Sequence, residues 1–222
     1  MDWRTKTELD AASTPRQIEE RSFAIIDAEI PEPRPYSGAL WSIARRCIHT
    51  TGDPSILKDL SLDERSMRSG LAALSLGCLI VTDTNMAREA MPLRRLNRLG
   101  ARVTSIMDLP HVEGLARQAG TTKARAGIMA ICGQLEGAIV VIGNAPTALL
   151  TLLECLDKGS PRPALIVGMP VGFVNAAQAK TLLATSPYPH FTLRGRRGGS
   201  AVAAACVNAL AELALTSETK IA

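Results

Sequence analysis

The side chains able to do acid–base or anion chemistry in this chain gather at turns that close apolar segments. His49 is one of three histidines, with His111 and His190. It stands near the end of a helical stretch through Leu40, Ile43, Ala44 and Cys47, which Gly52 is placed to terminate in the left-handed conformation. A helix C-terminus favours a cation, although Arg45 and Arg46 oppose a further positive charge there. Position alone leaves two readings of His49 open, an ordinary capping histidine or a proton donor near neutral pH. Three histidines so far apart do not suggest a multi-histidine metal centre, and no metal site is expected. His111 follows Pro110 in a polar loop and reads as surface. His190 opens a strand, the end away from which parallel sheets bind their ligands.

The remaining candidates sit at the exits of apolar runs. Residues 138–142 run into Gly143-Asn144-Ala145-Pro146, and residues 164–167 run into Gly168-Met169-Pro170-Val171-Gly172-Phe173 ahead of a helix expected to carry Lys180. Strands apolar on both faces suit a parallel sheet covered by helices, whose ligands bind where the strands end. Asn144 and the amides after Gly143 offer donors to a carboxylate at a helix N-terminus; a plain tight turn is the alternative. Lys123 opens a helix expected over residues 122–135, as an anion contact or as a solvated lysine. Arg194-Gly195-Arg196-Arg197-Gly198-Gly199-Ser200 joins the last strand to the last helix and reads as an anion clamp. It is single and flanked by ordered elements, unlike RGG-type RNA-binding tracts. Asp83, just past the first strand, is open to a helix cap or a polar site residue. Neither corner matches a GxGxxG or Walker loop.

These residues must be carried by an alternating framework. Residues 22–30 place Phe23, Ile26 and Ile30 on one helical face, and Pro31, Pro33 and Pro35 stop that helix. Asp53-Pro54 has the form of an N-cap and first-turn proline, and Ser61 to Glu64 that of a capping box. Strands are expected over residues 78–82, 101–106, 138–142, 164–167 and 191–194, separated by helices, with an alanine-rich helix over 200–215. The expected architecture is α/β, with a mostly parallel, doubly wound sheet in one domain over residues 1–222. Residues 1–16 form a loose polar arm. A formal charge of +4 with only 3% aromatic residues argues against nucleic-acid binding. Cys47, Cys78, Cys132, Cys155 and Cys206 form no CxxC pair and read as reduced core residues. The N-terminus lacks a signal-peptide core, and the longest nearly apolar run, residues 71–81, is too short for the roughly 20 residues of a membrane span. A soluble cytoplasmic protein is expected.

Taken together and in this order, Gly143-Asn144-Ala145-Pro146-Thr147-Ala148-Leu149, Gly168-Met169-Pro170-Val171-Gly172-Phe173-Val174 and Arg194-Gly195-Arg196 with Gly198-Gly199-Ser200 resemble the precorrin-8X methylmutase (precorrin isomerase) family, cobalt-precorrin-8 methylmutases included. The likeness runs from Glu20 to the final helix. It implies a single three-layer Rossmann-like domain, a homodimer that holds a tetrapyrrole between its copies, and no cofactor or separate methyl donor. The implied reaction moves a methyl group from carbon 11 to carbon 12 of precorrin-8X or cobalt-precorrin-8, giving hydrogenobyrinate or cobyrinate. His49 matches the family's acid, which would protonate a ring nitrogen. Ser22 matches a substrate-contacting serine, and Lys123, Asn144 and Arg196 fall to substrate binding against its carboxylates; Asp83, by its place just past the first strand, is counted with them as a substrate-binding residue. Two positions depart from the family pattern: Glu19 stands where some relatives have tyrosine, and Gln178 where glutamate is expected before Lys180. A non-catalytic tetrapyrrole carrier using the same pocket is the alternative function. A nucleotide-dependent oxidoreductase rests on the α/β pattern alone.

Overall fold

The computed structural model describes residues 14–219. Among these residues six strands form one sheet: β1 (Leu60–Ser61), β2 (Leu79–Thr82), β3 (Arg102–Ser105), β4 (Ile139–Ile142), β5 (Leu165–Gly168) and β6 (His190–Leu193). Their order is β1-β6-β5-β4-β2-β3, with β2 to β6 parallel and β1 antiparallel to β6. The α/β expectation holds, and each anticipated strand is present to within a residue or two. β1 was not anticipated, because two residues are too few to show any period. From β2 the chain steps to β3, returns across β2 to β4, and then winds outward, so the winding reverses between β2 and β4.

Among the described residues ten α-helices cover this sheet: α1 (Pro15–Glu29), α2 (Gly38–Thr51), α3 (Glu64–Ser75), α4 (Asn85–Glu89), α5 (Leu93–Arg98), α6 (Val112–Gln118), α7 (Lys123–Ile131), α8 (Pro146–Asp157), α9 (Ala176–Ala184) and α10 (Ser200–Thr219). All four residues of β4 are buried because alternate side chains enter opposite cores. Ile139 and Val141, with Leu165 and Val167, pack against Cys47 of α2 and Val202, Cys206 and Leu210 of α10. Val140 and Ile142, with Ile166, pack against Ile128 of α7, Leu149 and Leu152 of α8 and Leu183 of α9. The result is three layers. Small residues along α10, including Ala203, Ala204, Ala205 and Ala211, let α2 approach closely enough for Cys47 and Cys206 to touch, Sγ to Sγ 3.5 Å.

Several local expectations need correction. The polar arm cannot reach residue 16: Thr14 caps α1 through a capping box with Gln17, and Pro15 takes the first turn, where its missing N–H costs nothing. Residues 1–13 of that arm lie outside the described residues. Asp63, not Ser61, caps α3, accepting from the Ser66 N–H at 2.8 Å. Asp53 does cap the turn after it, but that turn is the 3-10 helix Pro54–Lys58. The helix expected to reach residue 135 ends at Ile131 and tightens into the 3-10 turn Cys132–Gln134. Among the described residues no helix is long and apolar enough to cross a membrane.

Candidate active site

The C-terminus of α2 and the C-terminal edge of the parallel sheet lie at the same end of the molecule. Gly52 closes α2 at φ 62°, ψ 20°, with its N–H on the Ile48 carbonyl, and His49 occupies the last turn. The exposed His49 ring stands edge-on to Phe23 of α1, centroids 5.4 Å apart and planes at 72°. Beside it opens a cleft of about 220 Å³ lined by Ser22, Ile25, Glu29, His49, Gly52 and Pro54, among others. Ser22 and His49, chosen from distant segments of the sequence, thus share one wall-to-wall space. Glu29 is a carboxylate in the cleft that sequence reasoning missed, since a polar residue at a helix end carries no signal by itself.

The charges behind the cleft are internally matched. Arg46 bonds Glu19 at 2.8 Å and Glu212 of α10 at 2.6 Å. Arg45 bonds Asp27 at 2.6 Å, and its guanidinium carbon lies 4.4 Å from the Phe23 ring centroid. Burial opposes ionisation of Glu19, but the hydrogen bond and charge of Arg46, helped by Arg95 and His49, hold its carboxyl below the usual range. The carboxylate that replaces the expected tyrosine is therefore a paired one.

The loop from β6 to α10 is fastened to this same corner. The Arg197 guanidinium reaches Asp53 at 2.7 Å, the Ser55 hydroxyl at 2.8 Å and Asp59 at 2.6 Å. It thereby ties the loop to the segment that supplies Pro54 to the cleft. Arg196 is exposed, its guanidinium carbon 5.2 Å from the Phe173 ring centroid, and its carbonyl accepts from the Gly172 N–H. The Gly199 N–H bonds the Met169 carbonyl at 2.9 Å, and any Cβ on Gly198 would collide with that carbonyl. The two glycine-rich loops are thus joined into a single rim. Sequence reasoning read the arginines as a common clamp; the structure gives Arg197 to the protein and leaves Arg196 facing out.

At the β2/β4 reversal, where doubly wound sheets usually receive ligands, the geometry corrects two expectations. Asp83 is 1% exposed, and its carboxylate accepts from the amides of Gly143, Asn144 and Ala145 at 3.0, 2.8 and 2.7 Å. Burial pushes its pKa up, and the three amides pull it back. The amides expected to grip a substrate carboxylate are thus occupied by one of the protein's own. Asp83 in turn holds the turn from beneath, and its substrate-contact and cap readings give way. Its neighbour Thr84 is the cap, accepting from the Ala87 N–H at 3.1 Å. Close packing completes the closure, since a Cβ on Gly143 would lie 2.6 Å from the Ser200 Cα. The protein's own groups fill this crevice, which argues against the oxidoreductase reading. The Asn144 side chain remains exposed on top of the turn.

Lys123 belongs to the other helical layer. The Thr122 and Thr147 hydroxyls meet at 3.3 Å, so α7 begins beside α8 at the same sheet edge, and the Lys123 ammonium pairs with Glu113 at 3.1 Å. Lys123, Asn144 and Arg196 therefore share the rim, but none of them lines the His49 cleft of its own chain. His111 is exposed in a left-handed conformation before α6, and His190 begins β6 at the far end of the sheet.

This arrangement has close counterparts. The family model for precorrin-8X methylmutase matches residues 17–213. A precorrin-8X methylmutase of Pseudomonas aeruginosa is 42% identical over 210 residues, covering 91% of this chain and 98% of that one. A cobalt-precorrin-8 methylmutase of Priestia megaterium is 33% identical, covering 96% and 94%. The solved precorrin-8X methylmutase of Thermus thermophilus superposes with a TM-score of 0.84 at 39% identity, covering 91% of this chain and 97% of that one. With the family model matching residues 17–213 and these relatives covering nine-tenths or more of its length, the chain belongs to the precorrin-8X methylmutase family.

Proposed function

We propose that this chain is the isomerase that moves a methyl group from carbon 11 to carbon 12 of precorrin-8X or cobalt-precorrin-8, with His49 as the acid. The observation that carries the reading is the shared cleft: an exposed imidazole in the last turn of α2, lining the same space as Ser22. The imidazolium protonates a ring nitrogen, which makes the conjugated system electron-poor. The bond from carbon 11 to the methyl then breaks as the bond to carbon 12 forms, and the proton finally leaves the product. No methyl donor or cofactor enters that balance. Ser22 bonds a peripheral group, and Asn144, Lys123 and Arg196 meet the acetate and propionate carboxylates along the rim. Asp83 acts from beneath by fixing the Asn144 turn.

The working unit of this proposal is a cytoplasmic homodimer of single-domain chains. A cleft of about 220 Å³ is below the roughly 300–1,000 Å³ of ordinary ligand pockets, so a decorated tetrapyrrole needs more wall than one copy offers. Ile18 and Ile25 on α1, each 52% exposed, supply an apolar surface beside it for the second copy.

An absorbance assay with enzymatically prepared precorrin-8X tests the reading. The hydrogenobyrinate spectrum is expected with wild type and not with His49→Ala. If wild type turns over neither precorrin-8X nor its cobalt form yet binds the pigment, the carrier function takes its place.

A further inference from the structure

Lys180 has no exposed surface and is among the largest wholly buried side chains of the described residues. Lysines are almost never fully buried unless paired, because the ammonium gives up its hydration. The partner here is one main-chain oxygen: the Nζ donates to the Arg197 carbonyl at 2.5 Å. That residue is the one whose guanidinium spans Asp53, Ser55 and Asp59, and it directly follows Arg196. A lysine on α9 thus reaches under the rim to hold the main chain at the point where one arginine turns inward and the next turns out.

We infer that Lys180 is a positioning residue for the methyl shift: its ammonium pins the loop at Arg197, so that Arg197 closes on the segment beside the His49 cleft while Arg196 is presented to the substrate's carboxylates. The inference rests on the methylmutase reading above. Burial pushes the ammonium down to about 8, with Asp59 pulling the other way. Asp59, from the segment before β1, is the charge acting on it among the described residues; the loop adds Arg197, itself shared between Asp53 and Asp59, while on α8 Glu154 pairs with Arg125 and Asp157 accepts from Tyr188, and on β6 the His190 ring sits on the Tyr188 carbonyl. At neutral pH the bond to the carbonyl is charge-assisted, which roughly doubles the strength of such a bond. Once the proton leaves, the pin weakens.

The test follows KM, kcat and trypsin nicking after Arg194, Arg196 and Arg197 between about pH 6.5 and about pH 9.5. The proteins are wild type, Lys180→Arg and Lys180→Met, with nicking rates corrected against a free peptide. Wild type should show KM and loop nicking rising together, several-fold, above about pH 8, with the change carried by KM rather than kcat. Lys180→Arg, charged throughout, should lose that rise. Lys180→Met should have KM and nicking raised about tenfold at neutral pH and no break near pH 8. Wild-type KM and nicking in Lys180→Met, or a wild-type profile flat across the range, overturns the inference. Should Lys180→Met fail to fold, the wild-type and Lys180→Arg profiles decide alone. If nicking responds as expected but wild type neither binds nor converts precorrin-8X or its cobalt form, the loop is pinned as described and it is the substrate reading that fails.

Discussion

Two regions at the same edge of the molecule are built in opposite ways. At the β2/β4 reversal, three amides that would suit an incoming anion are taken by Asp83, 1% exposed, and the α10 backbone packs directly on Gly143. At the end of α2, His49 meets Phe23 edge-on and otherwise faces an open cleft. The usual ligand seat of a doubly wound sheet has become a rigid floor, and the imidazole proposed as the acid sits on a helix laid outside the sheet. What a fold offers and what a site uses are separate questions, answered here by different residues.

The comparison breaks most sharply at His49. His49→Ala should lower turnover about 10²- to 10⁴-fold, the usual worth of a positioned acid, while the melting temperature holds to within about 2 °C because the ring is exposed. A collapse of the fold in that variant would return His49 to the capping role. Asp83→Ala should do the reverse. Three buried or half-buried amides lose their acceptor, at about 3 kcal/mol of stability, or roughly 6–12 °C in melting temperature for a chain of this length. Thermal unfolding beside pigment binding checks it. Unchanged stability with lost binding would put Asp83 back in contact with the substrate.

The same contrast explains what the sequence could show. His49 was legible because helix signals around it are local: the apolar stripe of α2 and the terminating Gly52 name its place within a residue. The strands were legible because β4 and β5 are apolar on both faces. Asp83 was ambiguous, since its meaning depends on amides sixty residues away. Arg197 and Lys180 were not separable from their neighbours for the same reason, as their partners lie on segments that only the folded chain brings together. The start of α1 is different. Thr14-Pro15-Arg16-Gln17 is a capping box in plain sequence, and the polarity of the arm obscured it.

A smaller effect sharpens the rim side of the comparison. Lys123 is exposed and shares its charge with Glu113, so Lys123→Ala should weaken substrate binding about two- to fivefold. The deficit should shrink as salt rises, because the attraction it removes is screened. Affinity equal to wild type at low salt would take Lys123 out of the site.

Glu19 should give the smallest change. Its folded pKa is lowered, so its stabilising contribution is present at neutral pH and is lost as pH falls through the folded value, below the usual 4.5. Glu19→Gln should therefore cost under about 1 kcal/mol in urea unfolding at pH 7, with the difference from wild type fading toward about pH 3, since Arg46 keeps Glu212 at 2.6 Å. Substrate affinity should move by less than about twofold, because a carboxylate already paired with Arg46 presents little net charge to an anionic ligand. A tenfold gain in affinity would mean the opposite: Arg46 leaves Glu19 when the substrate arrives, and the matched charges behind His49 belong to the open region rather than to its support.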